Sequence, residues 1–165
     1  MYQPGDLVVF GIHGVCRIQN RQRMQVDGKD AWFLVLEPLT QEGAKILIPE
    51  DNPVALEKMT RLMSEAEMEA MLNLPTLREG AWEPNENLRK QLHKELISGK
   101  DREGLLRELC TLCRQKRILA AAGKRLRQSD EGFLADARKR ICGEISAVKK
   151  VSQEEALNYL KEKLQ

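Results

Sequence analysis

Residues 4–18 read PGDLVVFGIHGVCRI, and this stretch decides the fold of the first half of the chain. The segment DLVVF at residues 6–10, apolar after Asp6, is followed by GIHG, whose two glycines favour a tight turn, and then by an alternating segment at residues 15–18. Short apolar runs and period-two alternation are typical of β-strands that bury one face. The stretch therefore predicts two strands, joined by a turn in which His13 has a structural rather than a catalytic role.

The residues that follow predict three further strands, at residues 21–26, 31–36 and 45–49. The first two are joined by Asp27-Gly28, a strong signal for a β-hairpin turn. The last ends at Pro49, which cannot donate a hydrogen bond to a neighbouring strand. Because no helical pattern lies between these strands, we expect a five-stranded β-barrel of the SH3 or Tudor type over residues 1–60.

After Asn52 the apolar residues are spaced by three and four, which is typical of helices. Leu88, Leu92 and Leu96 are expected to form the apolar face of one of them. The predicted helices begin at residues that favour helix N-termini: Ser64, Pro84, Asp101, Ser129 and Ser152. The predicted fold class is therefore α+β with two domains, the N-terminal barrel and a C-terminal basic α-helical bundle over residues 61–165.

The two halves of the chain carry opposite net charge. Residues 1–74 contain seven Lys or Arg and eleven Asp or Glu, whereas residues 75–165 contain twenty and fourteen. Nine basic residues lie between positions 113 and 140, against three acids. Such an excess favours a polyanion such as DNA through phosphate neutralisation, and the alternative is a solvated helix face without a partner.

Composition and motifs argue against several classes of protein. The longest apolar runs fall far short of the roughly 18 residues that span a bilayer, and no secretory signal is recognisable, so we expect a cytoplasmic protein without a membrane partner. Cys110 and Cys113 form a C-x-x-C pair without a second ligand pair, so we expect core packing, with a metal or redox role as the alternative. Because no phosphate loop or nucleophile elbow is present, we expect no enzyme activity, no small-molecule substrate and no cofactor.

Several segments, taken in order, resemble one family. PGDLVVFGIHGV at residues 4–15, LVL at 34–36 and ILIPEDN at 46–52 are similar to the CarD-like regulators of bacterial transcription, whose N-terminal module is shared with the transcription-repair coupling factor. The similarity continues after Trp82 through LISG at 96–99, LREL at 106–109 and ARKRICGEI at 137–145. The helicase motifs of the coupling factor itself are absent from this sequence.

This resemblance implies a protein that bridges two partners. Its barrel is expected to bind the β subunit of bacterial RNA polymerase, with Arg23, Lys45 and Leu47 at the contact. Its helical domain is expected to bind promoter DNA beside the melted bubble, where Trp82 enters the distorted minor groove and stabilises the open complex. The other implied DNA contacts are basic residues of the helical half: Arg89, Arg114, Lys116, Arg117, Lys124, Arg125, Arg127, Arg138 and Lys139.

Alternatives stay open for the function and for both tryptophans. The chain could be a protein–protein adaptor whose basic face is only solvated, and Trp82 could be a plug between barrel and bundle. Trp32 is expected to serve the barrel or its edge, with partner binding as the alternative. We expect the protein to be a monomer.

Overall fold

The computed structural model describes residues 2–164. The chain divides into two compact units, unit 1 up to Leu62 and unit 2 from Met63 onward. Unit 1 contains all the strands, and unit 2 is helical.

Unit 1 is built on one antiparallel sheet with the strand order β4-β3-β2-β1-β5. Its strands are β1 (Leu7–Phe10), β2 (Val15–Val26), β3 (Lys29–Pro38), β4 (Ile46–Pro49) and β5 (Met59–Arg61). A 3-10 turn, Gly11–His13, joins the first two strands, and a short helix, α1 (Pro53–Glu57), precedes the last. Strands β4 and β5 form the two edges of the sheet.

The predicted strand count is right, but two strands were assigned wrongly. The predicted strands at residues 15–18 and 21–26 are one strand, β2, whose register against β3 shifts between Ile18 and Asn20. Such a bulge bends a strand without ending it, and so the polar residues there resemble a break. The fifth strand, Met59–Arg61, was not predicted because three residues carry no readable alternation. Closure of this sheet into a barrel stays a prediction.

The hairpin between β2 and β3 turns at Asp27-Gly28, as predicted. Both residues have positive φ, 51° and 77°, which is the conformation of a type I′ turn. The core of unit 1 lies against one face of the sheet, and its members are Val8, Cys16, Ile18, Leu34, Leu36, Ile48 and Met59.

Up to Leu164, unit 2 contains a 3-10 turn, Pro75–Arg78, and five α-helices: α2 (Glu65–Leu72), α3 (Glu86–Ser98), α4 (Arg102–Ala121), α5 (Gln128–Lys149) and α6 (Gln153–Leu164). The predicted caps Ser64, Asp101 and Ser152 each accept a hydrogen bond from a backbone N–H in the first turn of their helix. Two predicted starts are wrong. Helix α3 is capped by Asn85 rather than opened by Pro84, and α5 begins at Gln128, before Ser129.

Two apolar clusters hold unit 2 together. One joins α2, α4, α5 and α6 around Met68, Leu106 and Ile145, and the other joins α3, α4 and α5 around Leu112 and Leu134. The predicted apolar face of α3 is wrong for two of its three members, because Leu88 is 54% exposed and Leu92 is 37% exposed.

None of the helices within residues 2–164 combines the length and the apolar character that crossing a membrane requires.

Candidate functional site

Strand β4 forms one candidate surface in unit 1. It pairs with β3 on one side only, so its other side is an edge of the sheet. Leu47 lies opposite Val35 in this pairing and is 41% exposed, whereas Ile48 is buried. Lys45 is exposed and directly precedes the strand. Two of the residues predicted to contact a protein partner are therefore accessible at this edge.

The third predicted contact residue, Arg23, lies on the exposed part of the β2–β3 hairpin. Its guanidinium hydrogen-bonds the carboxylate of Asp30 across the hairpin. Position 23 pairs with Trp32 in the sheet register, whereas Leu47 pairs with Val35 further along β3. Arg23 is therefore accessible but stands apart from Lys45 and Leu47 along the sheet.

Trp32 belongs to a group of three side chains at the end of the sheet, here called the Trp32 triad. The Arg21 guanidinium carbon lies 4.6 Å from the centre of the indole ring, and its nitrogens donate to the Glu50 carboxylate at 2.5 and 2.8 Å. The hydrogen bonds from Arg21 lower the pKa of Glu50 below its ordinary value. The ring itself is 46% exposed, so Trp32 offers an aromatic surface beside paired charges.

Trp82 belongs to a similar group in unit 2, the Trp82 triad, with Arg89 and Asp130. The Arg89 guanidinium carbon lies 4.2 Å from the centre of the indole ring. The ring is half-buried and packs against the cluster of α3, α4 and α5. Trp82 is therefore seated on unit 2 with part of its surface open to solvent.

Arg89 was predicted to contact DNA, and the structure corrects this prediction. Its side chain is only 3% exposed and binds both carboxylate oxygens of Asp130, at 2.9 and 3.1 Å. Its remaining nitrogen donates to the carbonyls of Glu83 and Pro84. The hydrogen bonds with Asp130 raise the pKa of Arg89. With its donors satisfied inside the fold, Arg89 positions Trp82 and the start of α3 instead of meeting a phosphate.

The Trp82 triad continues into a buried polar cluster. His93 is stacked on Phe133 with ring centres 3.9 Å apart, and its Nε2 lies 2.8 Å from the Glu108 carboxylate. Its Nδ1 lies 3.9 Å from Asp130. Asp130 stands in the first turn of α5, where the helix dipole favours a negative charge. These interactions connect α3, α4 and α5 through polar side chains that are almost fully out of water.

Arg114, another predicted DNA contact, also has structural partners. Its guanidinium donates to the carbonyls of Arg78 and Gly80, which precede Trp82 in the chain. Gly80 packs so closely on α4 that a Cβ there would stand 2.3 Å from Thr111 Oγ1. Arg114 therefore fastens the loop that carries Trp82, and only part of its side chain remains accessible.

The other predicted DNA contacts differ in how they are engaged. Lys116 pairs with Glu131 at 3.1 Å and Arg127 with Glu86 at 3.1 Å, in both cases on the surface. Lys124 and Arg125 are exposed in the loop between α4 and α5. The remaining members of the predicted set are exposed or half-buried: Arg117, Arg138 and Lys139.

Arg140, which belongs to the same basic run, has a structural role. It donates to the carbonyls of Leu96, Ile97 and Gly99 at the C-terminal end of α3, and burial lowers its pKa.

The cysteine pair in α4 is only half-buried. Cys110 packs against one apolar cluster and Cys113 against the other, and both border a groove that is open to solvent. Burial raises the pKa of the Cys110 thiol. Within residues 2–164, no three His, Cys, Asp or Glu side chains converge in a way that would hold a metal ion.

Unit 1 is a small β module whose single antiparallel sheet has an accessible edge strand. Residues 2–62 match the family model of the CarD-like/TRCF RID domain, RID denoting an RNA polymerase interaction domain. The match confirms the resemblance over unit 1 and indicates a transcription factor that interacts with RNA polymerase. It ends at Leu62. No curated protein matches the chain significantly.

Sequence reasoning missed the polar residues that organise the Trp82 region. Arg89, His93 and Leu96 lie three or four residues apart and form the buried face of α3. The signal was present as a polar stripe beside the leucine stripe. This stripe can be interpreted as buried only when it is known that Asp130 and Glu108, on other helices, are the partners of Arg89 and His93.

Proposed function

We propose that the chain is a transcription regulator that binds the β subunit of bacterial RNA polymerase through unit 1 and promoter DNA through unit 2. It would bind DNA without reading its sequence and stabilise the open complex. The observation that carries the proposal is the match of residues 2–62 to a polymerase interaction domain. The proposal includes a monomer that acts in the cytoplasm.

The polymerase contact is assigned to the β4 edge. An edge strand offers unpaired backbone groups to a strand of a partner, and an exposed leucine beside it adds apolar contact area. Leu47→Glu should therefore weaken binding to purified polymerase while leaving unit 1 folded. Leu39→Glu is a matched control, since Leu39 is 43% exposed but lies outside β4. Equal affinity of both variants for polymerase would refute the assignment.

The DNA contact is assigned to the exposed cations of unit 2, first of all Lys124 and Arg125. Neutralising a phosphate releases counterions. The logarithm of the affinity therefore falls linearly with the logarithm of the salt concentration, with a slope of about 0.9 for each phosphate contact. Reversing both charges should lower affinity for all duplexes alike and flatten the salt slope by roughly one to two units. Reversing Lys29 and Lys58 in unit 1 is the control. A loss confined to one DNA sequence would indicate base readout instead.

Trp82 is the proposed contact with melted DNA. Its ring is held on one side by Arg89, so an aromatic surface is presented without free rotation. Such a ring gains most beside bases that are already unstacked. Trp82→Ala should shorten the lifetime of open complexes, whereas Trp32→Ala should not. If Trp82→Ala lowers only the thermal stability of the protein, its role is packing.

A protein–protein adaptor is the second candidate function. Leu88 and Leu92 lie one turn apart on α3 and are both substantially exposed, which favours a helix face that meets another protein. A test of unit 2 for binding to duplex DNA at low salt separates the two functions. The regulator requires DNA binding, whereas the adaptor does not.

The proposal involves no catalysis. It is supported by the sequence, in which no nucleophile elbow, phosphate loop or paired-carboxylate motif is found.

A further inference from the structure

A groove of about 600 Å³ lies within unit 2, between α4 and α6. Helix α6 packs mainly against α5, whereas α4 packs against the 3-10 turn Pro75–Arg78 and against α5, which leaves the space between α4 and α6 open. The lining residues of α4 extend from Leu109 to Ala120, about 16 Å along the helix axis. The volume lies within the range of about 300–1,000 Å³ that is typical of small-molecule sites.

The floor of the groove is apolar. Two sets of side chains form it, spaced by three, four or seven residues along one face of α4 and one face of α6. They are Cys110, Cys113, Ala120, Leu157, Leu160 and Leu164. The floor is continuous with both apolar clusters of unit 2, so it is a fixed surface of the bundle rather than a flexible loop.

The rim of the groove is basic. Within residues 2–164, no Asp or Glu lines it, and its charged groups are all Lys or Arg. Three of them, Arg117, Arg138 and Lys161, form no ion pair with the carboxylates of this part of the chain. Positive charge without a partner therefore borders a concave apolar surface, which is an arrangement that a molecule with both an anionic head and an apolar body would neutralise and fill.

We propose that this groove binds a single-chain anionic amphiphile, of which a free fatty acid is the simplest chemical class. The carboxylate would lie at the rim among Arg117, Arg138 and Lys161, and the alkyl chain would lie along the floor past Cys113 and Leu157. The proposal goes beyond the proposed function, since its ligand is neither polymerase nor DNA, and it gives a second ligand to Arg117 and Arg138, which also belong to the predicted DNA contacts.

Charge complementarity and shape select this ligand over the other occupants of a basic surface. The phosphates of duplex DNA lie on a convex, hydrated surface, so DNA would leave the apolar floor unfilled. A neutral apolar molecule would fill the floor but leave Arg117, Arg138 and Lys161 without a counter-charge. A monomeric amphiphile satisfies both parts of the site.

Calorimetric titration of the full chain tests the proposal, with dodecanoate and tetradecanoate kept below their micelle-forming concentrations. The two added methylenes of tetradecanoate should tighten binding roughly tenfold if they are buried in the groove. Dodecanol and dodecyltrimethylammonium, which share the chain but lack the negative charge, should bind at least tenfold more weakly. Equal binding of all the twelve-carbon compounds would overturn the proposal.

Two variants locate the site. Ala120→Trp places a large side chain in the groove from an exposed position and should abolish binding, whereas Ala135→Trp, on an exposed position of α5 outside the lining, should not. Reversing Arg117 and Lys161 together should weaken dodecanoate binding by about tenfold or more, while reversing Lys139 and Lys150 leaves it unchanged. Unchanged binding in both test variants would overturn the proposal.

The cysteines give a direct readout of occupancy. Dodecanoate should slow the reaction of Cys110 and Cys113 with N-ethylmaleimide, whereas buried Cys16 and Cys142 serve as internal references. Protection by a DNA duplex but not by dodecanoate would assign the groove to nucleic acid and overturn the proposal. Binding to anionic vesicles without binding of monomeric fatty acid would assign it to a membrane surface, with the same consequence.

Discussion

Each unit contains the same set of residue types, a tryptophan under an arginine that is paired with a carboxylate. In the Trp32 triad the Arg21 side chain is 54% exposed and Glu50 is 27% exposed. In the Trp82 triad Arg89 is 3% exposed and Asp130 is 2% exposed. Both arginines bind their carboxylate through two nitrogens, so the geometry of the pairs is the same and the solvent around them differs.

That difference decides what each triad does. An exposed ion pair is screened by water and salt and contributes little to stability. A buried pair costs desolvation to form, and loss of one partner leaves an uncompensated charge in a low-dielectric interior. The Trp32 triad is therefore a surface feature that a partner can rearrange, whereas the Trp82 triad is part of the framework of unit 2.

The largest expected effect tests the buried pair. Asp130→Ala should lower the free energy of unfolding by about 3–5 kcal/mol, measured by urea denaturation, because Arg89 is left buried without its counter-charge. Glu50→Ala in the exposed pair is the matched control and should have a much smaller effect. Replacing both partners, with Arg89→Met and Asp130→Leu, should restore most of the stability. If the double variant is as unstable as the single one, packing rather than charge dominates this site.

The buried thiol of Cys16 in unit 1 provides a second test, with an intermediate expected effect on stability. Cys16 is fully buried, and burial raises its pKa from 9.0 to about 11. Between these values the unfolded chain loses the thiol proton while the folded chain keeps it, so stability falls as the pH rises from 9 to 11. The loss should be about 2–3 kcal/mol and should disappear in Cys16→Ala.

Trp32 fluorescence in a Trp82→Phe background provides the readout for this loss. A reporter in unit 1 is needed because unit 2 has an alkaline response of its own. The pKa of Tyr159 is raised above its ordinary value by burial and by its hydrogen bond to Glu69. An alkaline loss that persists in Cys16→Ala would assign the effect to another group.

The smallest expected effect is that of the exposed pair itself. The hydrogen bonds from Arg21 lower the pKa of Glu50, so any stabilisation by the pair is present above pH 4.5 and is lost as the pH falls through the lowered value. Glu50→Gln should reduce the melting temperature slightly at neutral pH and low salt. The difference should vanish at about 1 M salt, where the Debye length is about 3 Å. A difference that survives high salt would mean that this pair is desolvated as well.

Local signals predicted most of the element types but not the buried polar contacts. Ser64, Asp101 and Ser152 were readable as caps because each acts on a backbone N–H within its own first turn. Asp27-Gly28 was readable because a two-residue turn has its own backbone requirement. The exposure of Leu47 beside the buried Ile48 agrees with strand alternation, in which successive side chains lie on opposite faces of the sheet.

The misses at the candidate site are non-local, unlike the misplaced starts of α3 and α5. The stripe of Leu88 and Leu92 has the spacing of a buried face, but α3 buries Arg89 and His93 instead, because Asp130 and Glu108 on other helices satisfy them. No residue near Arg89 in the sequence indicates that its partner is Asp130, 41 positions away. The DNA contact that the resemblance implied for Arg89 conflicts with its burial for this reason, since sequence similarity does not distinguish a surface arginine from one with an internal partner.

Gly80 limits how the loop that carries Trp82 can change during sequence divergence. Any other amino acid at this position adds a Cβ that would stand 2.3 Å from Thr111 Oγ1 and 3.0 Å from Arg107 Cγ. A substitution at position 80 therefore requires that the side chains at positions 111 and 107 shift or become smaller, whereas Lys124 in its exposed loop meets no such condition. The order in which substitutions at positions 80 and 111 can arise is therefore constrained, because α4, which carries residue 111, packs directly against residue 80.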